Sequence, residues 1–129
     1  MLSKRYMKKK ILCFDLDGVI CRTKGNNYIN SNPIKRNIEA INYLKNKGFI
    51  IKIFTARFMG RSNENTRLAF QKGFKLTSNQ LEKWGVNYDE LIMGKPTYDI
   101  FVDDRNLNFK KNWAEQLFQK LKLNYIKTN

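Results

Sequence analysis

The chain has 129 residues, of which 42% are hydrophobic and 13% aromatic, as expected for one globular domain with a single core. Lys and Arg number 25 against 11 Asp and Glu, a formal charge of +14, and the sequence contains no His. The lack of His excludes Ser-His-Asp and Cys-His catalysis and imidazole general bases. Any chemistry must therefore use carboxylates, Lys, Arg, hydroxyl groups or a metal ion.

We expect a single domain over residues 1–129, with residues 1–8 as a flexible or weakly ordered extension. The apolar run that follows the basic N-terminus, Ile11 to Phe14, is too short for a secretion signal or a membrane span. Cys13 and Cys21 have no metal-ligand spacing and form no disulfide framework. These features predict a cytoplasmic protein with reduced thiols and no membrane partner.

Short apolar runs alternate with segments of helical periodicity along the chain. The runs predict strands at residues 10–14, 49–54, 90–93 and 98–102. Helices are predicted over 32–48, 63–73 and 78–84, followed by a last helix with Trp113, Leu117 and Leu121 on one stripe. This order predicts an α/β, Rossmann-like, three-layer fold with a mainly parallel open sheet covered on both faces.

Polar residues interrupt each predicted strand at its carboxyl end. They are Asp15 with Asp17, Thr55, Lys95 and the pair Asp103 with Asp104. Ligands of open parallel sheets bind outside the carboxyl ends of the strands, so we expect these side chains to share one crevice.

The carboxylates of Asp15, Asp17, Asp103 and Asp104 in one crevice repel one another unless a hard cation neutralises them, which predicts a divalent metal ion, Mg²⁺, among them. Lys95 and Thr55 then need an anionic partner, and a phosphoryl group fits. Its oxygens would also meet backbone N–H groups near Leu16, Asp17 and Ala56, and Arg57 lies close enough in sequence to join them. Arg61 could likewise contact the far side of the substrate or a phosphate oxygen, while no role is assigned to Arg105 or Asn106.

The spacing of Asp15 and Asp17 suits attack on phosphorus. The turn after the strand can aim the first carboxylate at phosphorus and the second at the leaving oxygen. Asp15 is then the nucleophile that forms an aspartyl-phosphate, and Asp17 the proton donor and later the base.

Four motifs, FDLDGVI, IFTAR, GKP and FVDDRN, occur in this order between residues 11 and 106. They resemble the motifs of the haloacid dehalogenase (HAD) superfamily of Mg²⁺-dependent phosphatases. The segments YDELIMGKP and VDDR are most similar to the small capsule and polysaccharide biosynthesis phosphatases of that superfamily.

The resemblance implies the following roles. Asp15 is the nucleophile, Asp17 the acid and base with its backbone carbonyl on the metal, and Asp103 the second metal carboxylate. Thr55 and Lys95 contact phosphoryl oxygens. Asp104 either binds the metal, directly or through water, or holds Lys95.

The intervals in which larger relatives insert a cap domain, here residues 18–49 and 57–94, are too short for a separate core, so we expect an open site without a cap. A lid would come from residues 21–32, from residues 57–62, or from a neighbouring subunit of a homo-oligomer.

The expected function is hydrolysis of a small phosphorylated metabolite, a sugar or polyol phosphate, in capsular or surface polysaccharide formation; the pathway follows from the resemblance alone. The first alternative is a nucleotidase or a 3′-phosphatase of nucleic-acid ends, although no basic stripe interleaves with aromatic residues as a nucleic-acid partner would require. The second is a receiver-like signalling domain, which would place its Thr and Lys after the adjacent acidic pair rather than before it.

Overall fold

The computed structural model describes residues 10–125, and the predicted extension at residues 1–8 lies outside them. The elements are β1 (Ile11–Asp15), β2 (Cys21–Arg22), β3 (Asn32–Pro33), α1 (Lys35–Asn46), β4 (Ile50–Thr55), α2 (Thr66–Lys83), β5 (Glu90–Met93) and α3 (Trp113–Lys120). Short 3-10 turns occupy Tyr28–Asn30 and Gly60–Ser62.

Three of the predicted strands form one parallel sheet in the order β1-β4-β5. Ile11 pairs with Ile50 at one end of β1, and Asp15 pairs with Phe54 at the other. Thr55 pairs with Met93 at the end of β5. The carboxyl ends of all three strands therefore meet at one edge, as the sequence predicts.

The main core lies against one face of this sheet. Ile51 and Ile53 of β4 are fully buried, as are Ile41 and Leu44 of α1. Phe118 of α3 completes this core. The alternation of buried and half-buried residues along β4 reflects the period of two in a strand, which sends successive side chains to opposite faces.

Two helices differ from their predictions. α1 begins at Lys35, because Asn32 and Pro33 form β3 and pair with β2. The two helices predicted over 63–73 and 78–84 are one helix of 18 residues, α2, which runs through Gly73 and Thr77. Both of these residues are buried, so tertiary packing outweighs their weak helix propensity.

The strand predicted at residues 98–102 is not formed. Residues 94–112 contain no helix or strand, and Ile100 and Val102 are 83% and 91% exposed. The rings of Tyr98 and Phe101 instead contact each other and lie 5.2 Å and 5.4 Å from the Lys95 ammonium group. Local aromatic packing thus takes the place of strand pairing in this segment.

No separate cap domain is present in the described part of the chain, and both candidate intervals hold only the elements given above. Between residues 10 and 125, no helix combines the length and hydropathy that a membrane span requires.

Candidate active site

Asp15, Thr55 and Lys95 meet where the three parallel strands end. The backbone N–H of Lys95 donates to the carbonyl of Thr55 at 3.0 Å, which joins the end of β5 to the end of β4. Gly94, with a φ of 98°, makes the turn that allows this contact, a conformation open chiefly to glycine. The Lys95 ammonium group lies 3.5 Å from the Asp15 carboxylate.

Asp15 is half-buried at the end of β1. Its Oδ1 accepts a hydrogen bond of 2.8 Å from the backbone N–H of Leu16. Burial raises the pKa of Asp15, the Lys95 ammonium opposes that rise, and the Asp17 carboxylate adds to it. The Leu16 N–H that we predicted to contact a phosphoryl oxygen is thus bound to Asp15 in this structure.

Thr55 is 1% exposed, and its hydroxyl oxygen accepts from the backbone N–H of Arg57 at 3.1 Å. Ala56 is half-buried in the same turn, and its carbonyl accepts from the N–H of Met59. The turn after β4 is therefore ordered by its own hydrogen bonds beside Asp15 and Lys95.

Asp17 lies within the turn in which the N–H of Ile20 donates to the carbonyl of Leu16. The side chain of Leu16 is fully buried, so this turn is anchored in the core between the two aspartates. The Asp17 carboxylate accepts from Nε and Nη2 of Arg57, each at 3.0 Å, and also from the Thr23 hydroxyl.

Arg57 does not face the open edge. Its side chain is fully buried, and Nη1 donates to Gln80 Oε1 at 2.6 Å while Nη2 donates to Ser31 Oγ at 3.1 Å. This arrangement does not match the predicted contact with a substrate phosphate. A sequence pattern cannot show the reason, since Gln80 and Ser31 are distant from Arg57 along the chain.

The four predicted metal ligands do not come together. Asp103 and Asp104 lie exposed in the irregular segment, where Asp103 accepts from the N–H of Arg105 at 2.8 Å. Within residues 10–125, no group of three or more Asp, Glu, Cys or His side chains could hold a metal ion. The four predicted carboxylates therefore form no single cluster among the described residues, and the strand predicted to carry Asp103 and Asp104 is not formed.

The protein's own cations balance the two carboxylates that do meet at the edge. Lys95 pairs with Asp15, and Arg57 pairs with Asp17. The prediction of a metal ion from charge repulsion assumed four carboxylates at one point, and that assumption does not hold in this structure.

The two predicted lid segments contact each other. Nη2 of Arg61 donates to the carbonyl of Asn26 at 2.6 Å, and Gln80 donates to the carbonyl of Tyr28 at 2.6 Å. The Arg61 guanidinium also packs on the rings of Tyr28 and Phe58. An open cavity of about 530 Å³ lies between them. The loop that follows β2 is thus fastened to the turn after β4 and to α2.

Sequence reasoning missed Thr23, Ser31 and Gln80, whose side chains contact Asp17 or Arg57. No local signal marks them, since Ser, Thr and Gln in polar segments are common and their partners lie elsewhere in the chain.

The chain has structural relatives among solved proteins, although no family model and no curated protein matches it. A crystal structure of an MCSG target from Vibrio cholerae superposes with a TM-score of 0.72 and 30% sequence identity, over 87% of this chain and 98% of that one. The chain belongs to the same family as this Vibrio cholerae protein.

Two more distant solved structures also match the chain. A chain of the Pnkp1/Rnl/Hen1 complex matches with a TM-score of 0.52 and 19% identity, over 89% of this chain and 35% of that chain. D,D-heptose 1,7-bisphosphate phosphatase from B. bronchiseptica, complexed with magnesium and phosphate, gives a TM-score of 0.47 and 16% identity, over 88% and 64% of the two chains. The described residues form an α/β fold with a three-stranded parallel sheet and no cap domain.

Proposed function

We propose that this protein is a phosphomonoesterase that acts through an aspartyl-phosphate on Asp15. One observation carries the proposal: at the end of β1 the Asp15 carboxylate lies 3.5 Å from the Lys95 ammonium, within a parallel α/β fold whose sequence motifs resemble those of HAD phosphatases. A half-buried carboxylate beside a lysine is suited to receive a phosphoryl group. The Lys95 ammonium pairs with the carboxylate before the reaction and can pair with the phosphoryl oxygens once the carboxylate has lost its charge to the new O–P bond.

The reaction has two steps. An oxygen of Asp15 forms a bond to phosphorus while the ester P–O bond breaks, and Asp17 gives a proton to the leaving oxygen. Asp17 then takes a proton from water as the water oxygen attacks phosphorus, which releases orthophosphate and restores Asp15. Lys95 and the turn at Thr55 bind the phosphoryl oxygens in both steps.

We include Mg²⁺ as a cofactor in the proposal because the sequence motifs resemble those of Mg²⁺-dependent HAD phosphatases. The described residues present no ready site for it, so each step above is assigned to side chains of this chain. A sugar or polyol phosphate substrate and a place in capsule formation also follow from the resemblance.

The test compares wild type with Asp15→Asn on a panel of sugar phosphates, polyol phosphates and nucleotides. We expect phosphate release by wild type and none by Asp15→Asn, because an amide oxygen is too weak a nucleophile to attack phosphorus. Asp99→Asn is the matched control, since Asp99 is exposed and lies outside the proposed site. Full activity of Asp15→Asn would rule out the assignment of the nucleophile.

A second candidate, a 3′-phosphatase of nucleic-acid ends, is favoured by the net charge of +14 and by the open site. It predicts release of phosphate from 3′-phosphorylated oligonucleotides, with binding that weakens steeply as salt rises. Activity restricted to small metabolites would exclude it.

A further inference from the structure

The Arg57 guanidinium is fully occupied by contacts within the protein. Nε and Nη2 form a two-point contact with Asp17, Nη1 donates to Gln80 and Thr77, and Nη2 also donates to Ser31. These contacts use all the N–H groups that a guanidinium carries. No donor remains for a substrate phosphate.

The same carboxylate is held from a second side. The Thr23 hydroxyl donates to Asp17, and Thr23 and Ser31 share a hydrogen bond of 2.6 Å. The Cys21 thiol donates to Asp17 at 3.4 Å. Asp17 therefore accepts hydrogen bonds from Arg57, Thr23 and Cys21, while its side chain stays 29% exposed.

Arg57 is in turn fixed by separate parts of the fold. Thr77 and Gln80 belong to α2, and the Tyr28 ring packs 4.8 Å from the guanidinium carbon. Two parallel hydrogen bonds fix the direction of a carboxylate as well as its distance, which one contact cannot do. The orientation of Asp17 is thus set by α2 and by the loop after β2.

We propose that Arg57 is a positioning residue that holds Asp17 in line with the leaving oxygen of the substrate. This inference rests on the proposed function, since it gives Asp17 the part of proton donor. It also gives a reason for the burial of Arg57, which the sequence predicts to face a substrate phosphate.

Two substrates with different leaving groups distinguish a role of Arg57 in positioning Asp17 from a role in binding phosphate. An alkyl phosphate needs a proton on its departing oxygen, whereas p-nitrophenolate leaves well without one. A misplaced proton donor therefore slows the first substrate far more than the second. A lost phosphate contact weakens both substrates alike, because they carry the same phosphoryl group.

The experiment measures kcat/KM of wild type and Arg57→Lys for glycerol phosphate and p-nitrophenyl phosphate. Lys keeps the charge and loses the two-point contact. We expect a drop of about 10²-fold or more for glycerol phosphate, as for loss of a general acid. For p-nitrophenyl phosphate we expect less than about tenfold, with KM little changed for both substrates.

Ser31→Ala is the second variant, because a buried arginine tolerates substitution poorly. It keeps every charge and removes one acceptor of Arg57 and one partner of Thr23. The quantity compared is the ratio of kcat/KM for glycerol phosphate to kcat/KM for p-nitrophenyl phosphate. We expect Ser31→Ala to lower this ratio less than Arg57→Lys does, but at least severalfold. Arg67→Lys, an exposed change at the start of α2, is the control and should leave the ratio as in wild type.

Equal losses on both substrates, or an unchanged ratio in folded Arg57→Lys, would overturn the positioning role. If Arg57→Lys fails to fold, an unchanged ratio in Ser31→Ala overturns it instead. Failure of the proposed function is distinct, since wild type would then hydrolyse neither substrate.

Discussion

Asp15 occupies a position where burial and charge act in opposite directions. Burial raises the pKa of its carboxyl group, Lys95 lowers it, and the net shift is upward. The folded protein therefore binds this proton more tightly than the unfolded chain does. The ionised carboxylate costs stability at neutral pH, and that cost is absent below the pKa of an unfolded Asp, about 4.

Asp15→Asn should consequently raise the melting temperature at pH 7, since the amide is uncharged at every pH. The gap from wild type should close as the pH falls below about 4, where the wild-type carboxyl is protonated in both states. Thermal melts in EDTA across this pH range measure it. Asp99→Asn, at an exposed site, is measured alongside as the control variant. A melting temperature of Asp15→Asn below that of wild type at pH 7 would contradict the expectation.

Among the elements, α2 shows how a tertiary contact can override a local helix signal. Gly73 would weaken an isolated helix by about 1 kcal/mol relative to Ala. Here a Cβ at position 73 would overlap the ring of Phe58, which packs directly on the helix backbone. Phe58 itself has a φ of 67°, so the turn after β4 accepts strain to place this ring.

Gly73→Ala should therefore destabilise the protein, although the same change on an exposed helix face stabilises it. We expect a loss of about 1–3 kcal/mol in the free energy of unfolding, as for overpacking of a core. Urea denaturation measures the change. Asn79→Ala, at an exposed position of α2, is the control and should be neutral or slightly stabilising. A stabilising effect of Gly73→Ala would show that the Phe58 ring moves aside at little cost.

In residues 94–112, a strand that the local sequence predicts is not formed. Its apolar run at residues 98–102 is typical of a strand, yet β1 pairs only with β4 among the described strands. A strand exists only when a neighbour supplies its hydrogen bonds, and that neighbour is not encoded within the segment. The aromatic residues around Lys95 are an alternative that local pattern does not reveal.

At the scale of the whole molecule, the protein's own positive charge determines how strongly the carboxylates at the open edge could bind a metal ion. The chain carries +14, and each carboxylate at the open edge already has a cationic partner. A divalent cation must therefore compete with Lys95 for Asp15, and it gains from Asp103 only if that residue reaches the edge.

We expect EDTA to stop phosphate release and Mg²⁺ to restore it, as the resemblance to HAD phosphatases implies. Asp103→Asn should raise the Mg²⁺ concentration needed for half-maximal activity by about tenfold or more, because a hard cation loses a carboxylate ligand. Asp99→Asn serves again as the control. Turnover that is indifferent to EDTA would remove the metal from the proposed function, and an unchanged Mg²⁺ requirement in Asp103→Asn would remove Asp103 from the site.

The sequence alone determined the α/β fold, three of its strands and the meeting of Asp15, Thr55 and Lys95. These follow from local causes: apolar runs make strands, and parallel strands bring their carboxyl ends to the same edge. The resemblance to the HAD superfamily also came from the sequence alone, because four motifs in a fixed order are more specific than a single motif.

Only the tertiary structure decided the partner of Arg57, the continuity of α2 and the placement of Asp103 and Asp104. Each depends on residues far apart along the chain, such as Ser31 and Gln80 around one guanidinium. Such contacts depend on shape and burial, which a linear pattern records only indirectly. For that reason Arg57, which the sequence predicts to bind phosphate, is buried instead against the Asp17 carboxylate that it orients.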